Sequence, residues 1–240
     1  MAKNKNNICN YDDVPENLDG HIFYGMKLDE HQKKFRDAIW DDSKKIVFCN
    51  SIAGSGKTTI AVATAVLMCN YGLYDNIVYV MHSVGDAQGF LPGTISEKSS
   101  VWFEGLYQAL IASNIQPEKA INNESMANQK NGVGFVTAIT DSYLRGSNIG
   151  PDSRTILIVD EAQNFDIPSL RKTLTRACET TKVIVIGHDK QIDLPTHKTS
   201  GFEPCMNHFK SKNADWTAFC ELKNNYRGLV SRTADETWLI

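Results

Sequence analysis

The sequence predicts a single α/β domain, a mainly parallel β-sheet with helices on both faces. Short runs rich in β-branched residues alternate with segments whose apolar residues recur at helical spacing. A glycine-rich loop joins one such run directly to a helix, and a second apolar run ends in two adjacent carboxylates. In open sheets of this kind ligands bind at the carboxyl ends of the strands, where both features fall.

Residues 1–26 are rich in Asn and Asp with little periodicity, so an extended or partly disordered arm is expected there, with the domain over 27–240. Asp29 is placed to cap a helix carrying Phe35, Ile39 and Trp40, which ends near Asp41 and Asp42. The segment KIVFCNS (45–51) reads as a buried strand, and further strands are expected over 77–81, 134–138, 155–160 and 182–187. Helical spacing covers 58–70, roughly 101–113, and 167–179. In the second of these Trp102, Phe103 and Tyr107 fit core packing better than stacking on bases. The polar, Asn-rich stretch 115–131 is expected to be an exposed loop.

A chain of 240 residues suits one sizeable domain, and 42% hydrophobic with 22% charged residues excludes the disordered and collagenous classes. The longest apolar stretch, 60–69, is half the length a bilayer crossing needs, and the polar start MAKNKNN lacks a secretory segment. A cytoplasmic protein with no membrane partner is expected. Six scattered cysteines without a C-x-x-C pair read as reduced thiols. The formal net charge of -3 argues against binding nucleic acid through overall charge. Arg171, Lys172 and Arg176, and His208, Lys210 and Lys212, read as solvated faces.

The strand at 45–51 runs into Ile52-Ala53-Gly54-Ser55-Gly56-Lys57-Thr58-Thr59 and then an Ala-rich helix, the setting of a phosphate-binding loop. Gly54 and Gly56 let the backbone curl so that successive N–H groups point at phosphates at a helix N-terminus. Lys57 is expected to reach the β- and γ-phosphates of ATP, and Thr58 to place its hydroxyl on Mg²⁺. The motif's first glycine is replaced by Ser51. The run TILIVD ends in Asp160-Glu161, where Asp160 is expected to hold the magnesium shell and Glu161 to orient and deprotonate water. After KVIVIG, the Gln191 amide suits a sensor of the γ-phosphate, whereas His188 reads as an ordinary surface or packing residue.

With these motifs in place, the chain resembles the PhoH family of P-loop ATPases, related to the first RecA-like domain of superfamily 1 helicases. The resemblance spans residues 28 to about 232 and rests on GFLPGTISEK (89–98), LYQAL, SYLRG (142–146), IVDEAQN, LTR (174–176) and QIDLP (191–195). It implies a RecA-like fold, an adenine-reading role for Gln32, a γ-phosphate contact by Arg227, and signature roles for Arg145 and Arg176. The chain departs from the family pattern at His188, where the family has Asp, and at His82, where it has Arg.

The leading expectation is an ATPase, and the helicase kinship implies coupling to RNA or single-stranded DNA. The alternatives are a slow nucleotide-dependent switch or scaffold, and a small-molecule kinase. Only 13 residues follow Arg227, so a neighbouring subunit in a head-to-tail homo-oligomer or ring is expected to complete the site. The 27 residues before Leu28 leave no room for a nuclease domain.

Overall fold

Six strands form one parallel sheet: β1 (Ile46–Ser51), β2 (Asn76–Met81), β3 (Val136–Thr140), β4 (Thr155–Val159), β5 (Thr181–Gly187) and β6 (Thr217–Leu222). Their spatial order is β3-β2-β4-β5-β1-β6, with every pairing parallel. This computed structural model describes residues 14–82, 103–122, 134–144, 148–195 and 197–235. The helices are α1 (Glu30–Trp40), α2 (Lys57–Asn70), α3 (Glu104–Ala112), α4 (Pro117–Ala120), α5 (Ile167–Leu174), α6 (Phe202–Lys212) and α7 (Leu229–Asp235).

Alternation along the strands divides the core in two. Val47 and Cys49 of β1, with Ile184 and Ile186 of β5, pack beneath α1, α2 and α3. Ile46 and Phe48, with Val183 and Val185, face α5 and α6. β4 is buried throughout, the expected state of a central strand covered on both faces. The sheet is thus the mainly parallel α/β arrangement, with helices on both faces, that the sequence predicts. β5 lies between β1 and β4, so the loop after β1 and the acids after β4 flank its end.

The described part of the expected N-terminal arm is packed. Leu18 and Phe23 are each 1% exposed within the core, and Trp40 Nε1 donates to Pro15 O at 3.1 Å. Residues 1–13 lie outside the described residues, as do Trp102, Arg145, Gly146 and the 89–98 motif. Phe103 and Tyr107 do pack on the core.

Three boundaries differ from expectation. β3 starts two residues late because Gly134 is held in a two-way bond with the Asn122 side chain. α5 stops at Leu174, after which the chain turns so that Ala177 bridges Ile149. Within the loop expected at 115–131, Pro117–Ala120 forms a helical turn, and Ile121 is buried. α6, β6 and α7 were not anticipated. β6 is a partly exposed edge strand that carries no clean alternation of apolar and polar residues.

Candidate functional site

The phosphate loop is held from both sides. Gly54 (φ +69) and Gly56 (φ +84) occupy the left-handed region that glycine adopts freely, and Gly56 leads into the first turn of α2. At Gly54 space is also decisive: a Cβ would lie 2.6 Å from Asn225 Oδ1 and 2.8 Å from Arg227 Cγ. Tyr226 N donates to Gly54 O at 2.9 Å, so the segment after β6 pairs with the loop directly. On the other side Gln32 Nε2 donates to Ser55 O at 2.9 Å.

Gln32 is buried and its other amide atom is engaged as well. Oε1 accepts from Asp29 N at 3.0 Å while Asp29 Oδ1 accepts from Gln32 N at 2.7 Å, a capping box at the start of α1. Asp29 Oδ2 accepts from Asn224 Nδ2 at 2.7 Å and Tyr226 Oη at 2.6 Å. One carboxylate therefore joins α1 to the segment that holds the loop.

Facing the loop are the two acids. Thr58 Oγ1 donates to Asp160 Oδ2 at 2.7 Å, and Lys57 Nζ lies 3.3 Å from Glu161 Oε1. Asp160 is 2% exposed. Burial, then the neighbouring Glu161, raise its carboxyl above the ordinary value, opposed by Lys57, Tyr79 and Thr58. Tyr79, buried in β2, donates to Asp160 Oδ2 as well. Burial and then Asp160 push its own hydroxyl well above the usual range. Asp160 Oδ1 accepts from Glu161 N at 2.7 Å.

Glu161 sits at φ 49, ψ 43, a left-handed conformation that costs a non-glycine residue energy and that clusters at working sites. Its side chain is aimed by Gln163, whose Nε2 donates to Glu161 Oε2 at 2.6 Å. Gln163 Oε1 in turn accepts from His188 N at 2.9 Å, tying the end of β4 to the end of β5.

The structure thus brings Gln32, Gly54, Ser55, Gly56, Lys57, Thr58, Asp160, Glu161 and Arg227 together. Arg227 is exposed, with its stem against Gly54. Gln191 is exposed, and no side-chain hydrogen bond of it is seen among the described residues. Arg176 is placed at the Ile149 bridge rather than at the loop. His82 Nδ1 lies 3.2 Å from Asp141 Oδ1, within ion-pair range when the ring is protonated but off the angle of a hydrogen bond. Of the two placements open to His188, surface or packing, the structure has the packed one; it is 3% exposed. Tyr79, Gln163 and Asn225 were missed. Of these only Gln163, in the DEAQ run, carried a local signal.

No helix among the described residues is long and apolar enough to cross a membrane. The chain is similar to the PhoH-like protein of Mycobacterium leprae (strain TN), 34% identical over 178 residues that cover 73% of this chain and 47% of that one. To Protein PhoH of Escherichia coli (strain K12) it is 31% identical over 195 residues, covering 77% and 50%. It spans about half the length of these curated relatives. Among solved structures it is similar to a DEAD box protein from Methanococcus jannaschii, at 15% identity and a TM-score of 0.49, covering 89% of this chain and 56% of that one. The PhoH-like protein family model matches residues 26–234, a span that holds both the phosphate loop and the acid pair, and the chain belongs to that family of P-loop NTPases.

Proposed function

We propose that this chain is a magnesium-dependent ATPase that transfers the γ-phosphoryl group to water. The observation that carries the reading is the double pairing of Thr58 with Asp160 and Lys57 with Glu161, which sets two successive loop side chains against two successive acids.

The residues fit magnesium carried in with a nucleotide. Thr58 Oγ1 and Asp160 Oδ2 are adjacent oxygens facing the loop. Such a pair suits an ion held by one or two protein oxygens plus phosphates. When bound, magnesium neutralises charge on the phosphate oxygens.

Within this reading the loop N–H groups and Lys57 bind the β- and γ-phosphates. Glu161, aimed by Gln163, orients a water and takes its proton as the water oxygen bonds to phosphorus and the bond to the leaving ADP oxygen breaks. Gln32 reads the base by exchanging its bond to Ser55 O, and Arg227 adds positive charge beside its own chain's loop. Ala53 and Thr59 complete the cradle. Coupling to RNA or single-stranded DNA, a cytoplasmic location, and completion of the site by a second copy belong to the same proposal.

The test is phosphate release from Mg·ATP with and without each polymer. Lys57→Ala is expected to lose nucleotide binding, and Glu161→Gln to retain ATP while turnover falls by about 10²–10⁴-fold. Normal turnover by Glu161→Gln would exclude it as the base. A requirement for an added acceptor would favour a kinase.

A further inference from the structure

The ends of β1 and β5 carry polar groups that the mechanism above leaves unused. These strands run with Asn50 opposite Gly187, so Ser51 and His188, the next residues, are neighbours at the carboxyl edge of the sheet. Cys49 and Ile186 belong to the core beneath α2, so by alternation Ser51 and His188 continue on the face that carries the phosphate loop.

Both residues are buried, at 2% and 3% exposure. His188 Nδ1 has no hydrogen-bond partner, and Ser51 Oγ has none beyond the weak one offered by the Cys49 thiol. Ser55 Oγ, inside the loop, is buried and unpartnered too. Such atoms are uncommon in native proteins, and each one calls for a reason. Here three gather around one loop. Ser51 and His188 also line, with Ile52, Asp189 and the segment after β6, a groove of about 760 Å³ at the ends of β5, β1 and β6. Through its backbone, His188 is joined by Gln163 to Glu161, and Glu161 meets Lys57.

We propose that Ser51 and His188 form a contact for the terminal phosphate of the bound nucleoside triphosphate, by which the protein separates a triphosphate from a diphosphate. The proposal rests on the ATPase reading. The Ser51 hydroxyl and the Nδ1–H tautomer of His188 donate to phosphate oxygens. The two fall side by side at the sheet edge, Ser51 in the place of the phosphate-loop motif's first glycine.

The test is calorimetric titration of the full chain with the Mg²⁺ complex of a non-hydrolysable ATP analogue, with Mg·ADP, and with inorganic phosphate. His188→Ala is expected to weaken the analogue about tenfold or more, the size of one hydrogen bond to a charged group, with ADP unchanged. His188→Asn, whose amide N–H lies near the place of Nδ1, is expected to restore most of the loss, and Ser51→Gly to shift affinity in the same direction by less. Equal weakening of analogue and ADP, no change in either, or a loss confined to inorganic phosphate would overturn the assignment. Failure of the native chain to take up either nucleotide would instead remove the ATPase reading, and the contact with it.

Discussion

Thr58 Oγ1 and Asp160 Oδ2 meet at 2.7 Å across 102 residues of sequence, joining the first turn of α2 to the end of β4. The same oxygen accepts a second bond, from Tyr79 Oη. Two donors from two different elements thus fix the rotation of a carboxylate that is entirely withdrawn from solvent.

Tyr79→Phe removes one of those donors and nothing else of the site. Outer partners of a metal-binding carboxylate typically matter by about 10–100-fold. The magnesium concentration for half-maximal phosphate release is expected to rise by that order, with nucleotide uptake little changed. Magnesium titration of the native chain and the variant measures it, and superimposable curves would show that Tyr79 does not position Asp160.

Gln163→Ala cuts the link that aims Glu161 and leaves the His188 N–H without its acceptor. If Glu161 is the proposed base, turnover is expected to drop by about 10–100-fold with little change in ATP affinity, because Gln163 touches Glu161 and not the nucleotide. Steady-state kinetics separate the two effects.

Gly54→Ala forces a methyl group onto Asn225 and Arg227 at a left-handed backbone position. The backbone term alone is roughly 1–2 kcal/mol. The clash should also pry the segment after β6 away from the loop, so both a lower melting temperature and weaker nucleotide binding are expected. Gly72→Ala, with a similar φ of +70 and open space around it, should show the stability loss without the binding defect.

Lys182 gives a pH signature at the other end of the sheet. Its side chain is buried, and Nζ donates to Asp41 O at 2.7 Å and Lys44 O at 2.6 Å. Burial lowers its pKa from 10.5 to about 8, partly offset by Asp42 and Asp41. Between those values the unfolded chain binds more protons than the folded one, so this residue's contribution to stability rises with pH from about 8 to 10.5. The neutral amine still has two N–H groups for its two carbonyls. Lys182→Met is expected to be less stable overall and to lose this rise, as read from denaturant midpoints at pH 7.5, 9 and 10.5.

Much of this fold was legible in the sequence because buried parallel strands announce themselves as unbroken apolar runs, and β1, β4 and β5 are of that kind. The phosphate loop and acid pair were legible because their chemistry is local in sequence. Tyr79 was not, since a tyrosine in a strand reads as filling until the acid above it is placed. Asn225 and β6 were missed because an edge strand lacks alternation, and its use here is to carry a turn back onto Gly54. His188 stood open between surface and packing for a related reason: a residue just past a strand can lie either way, and here β1 and Gln163 enclose it.

The double duty of Asp29 has a mechanical corollary. The carboxylate that starts α1 also grips Asn224 and Tyr226, while Gln32, one turn along, grips Ser55. The phosphate loop, the start of α1 and the segment after β6 are therefore tied to one another through two side chains. A knot centred on the loop thus reaches the molecule's outer margin, where Tyr226 and Leu229 stand open to solvent.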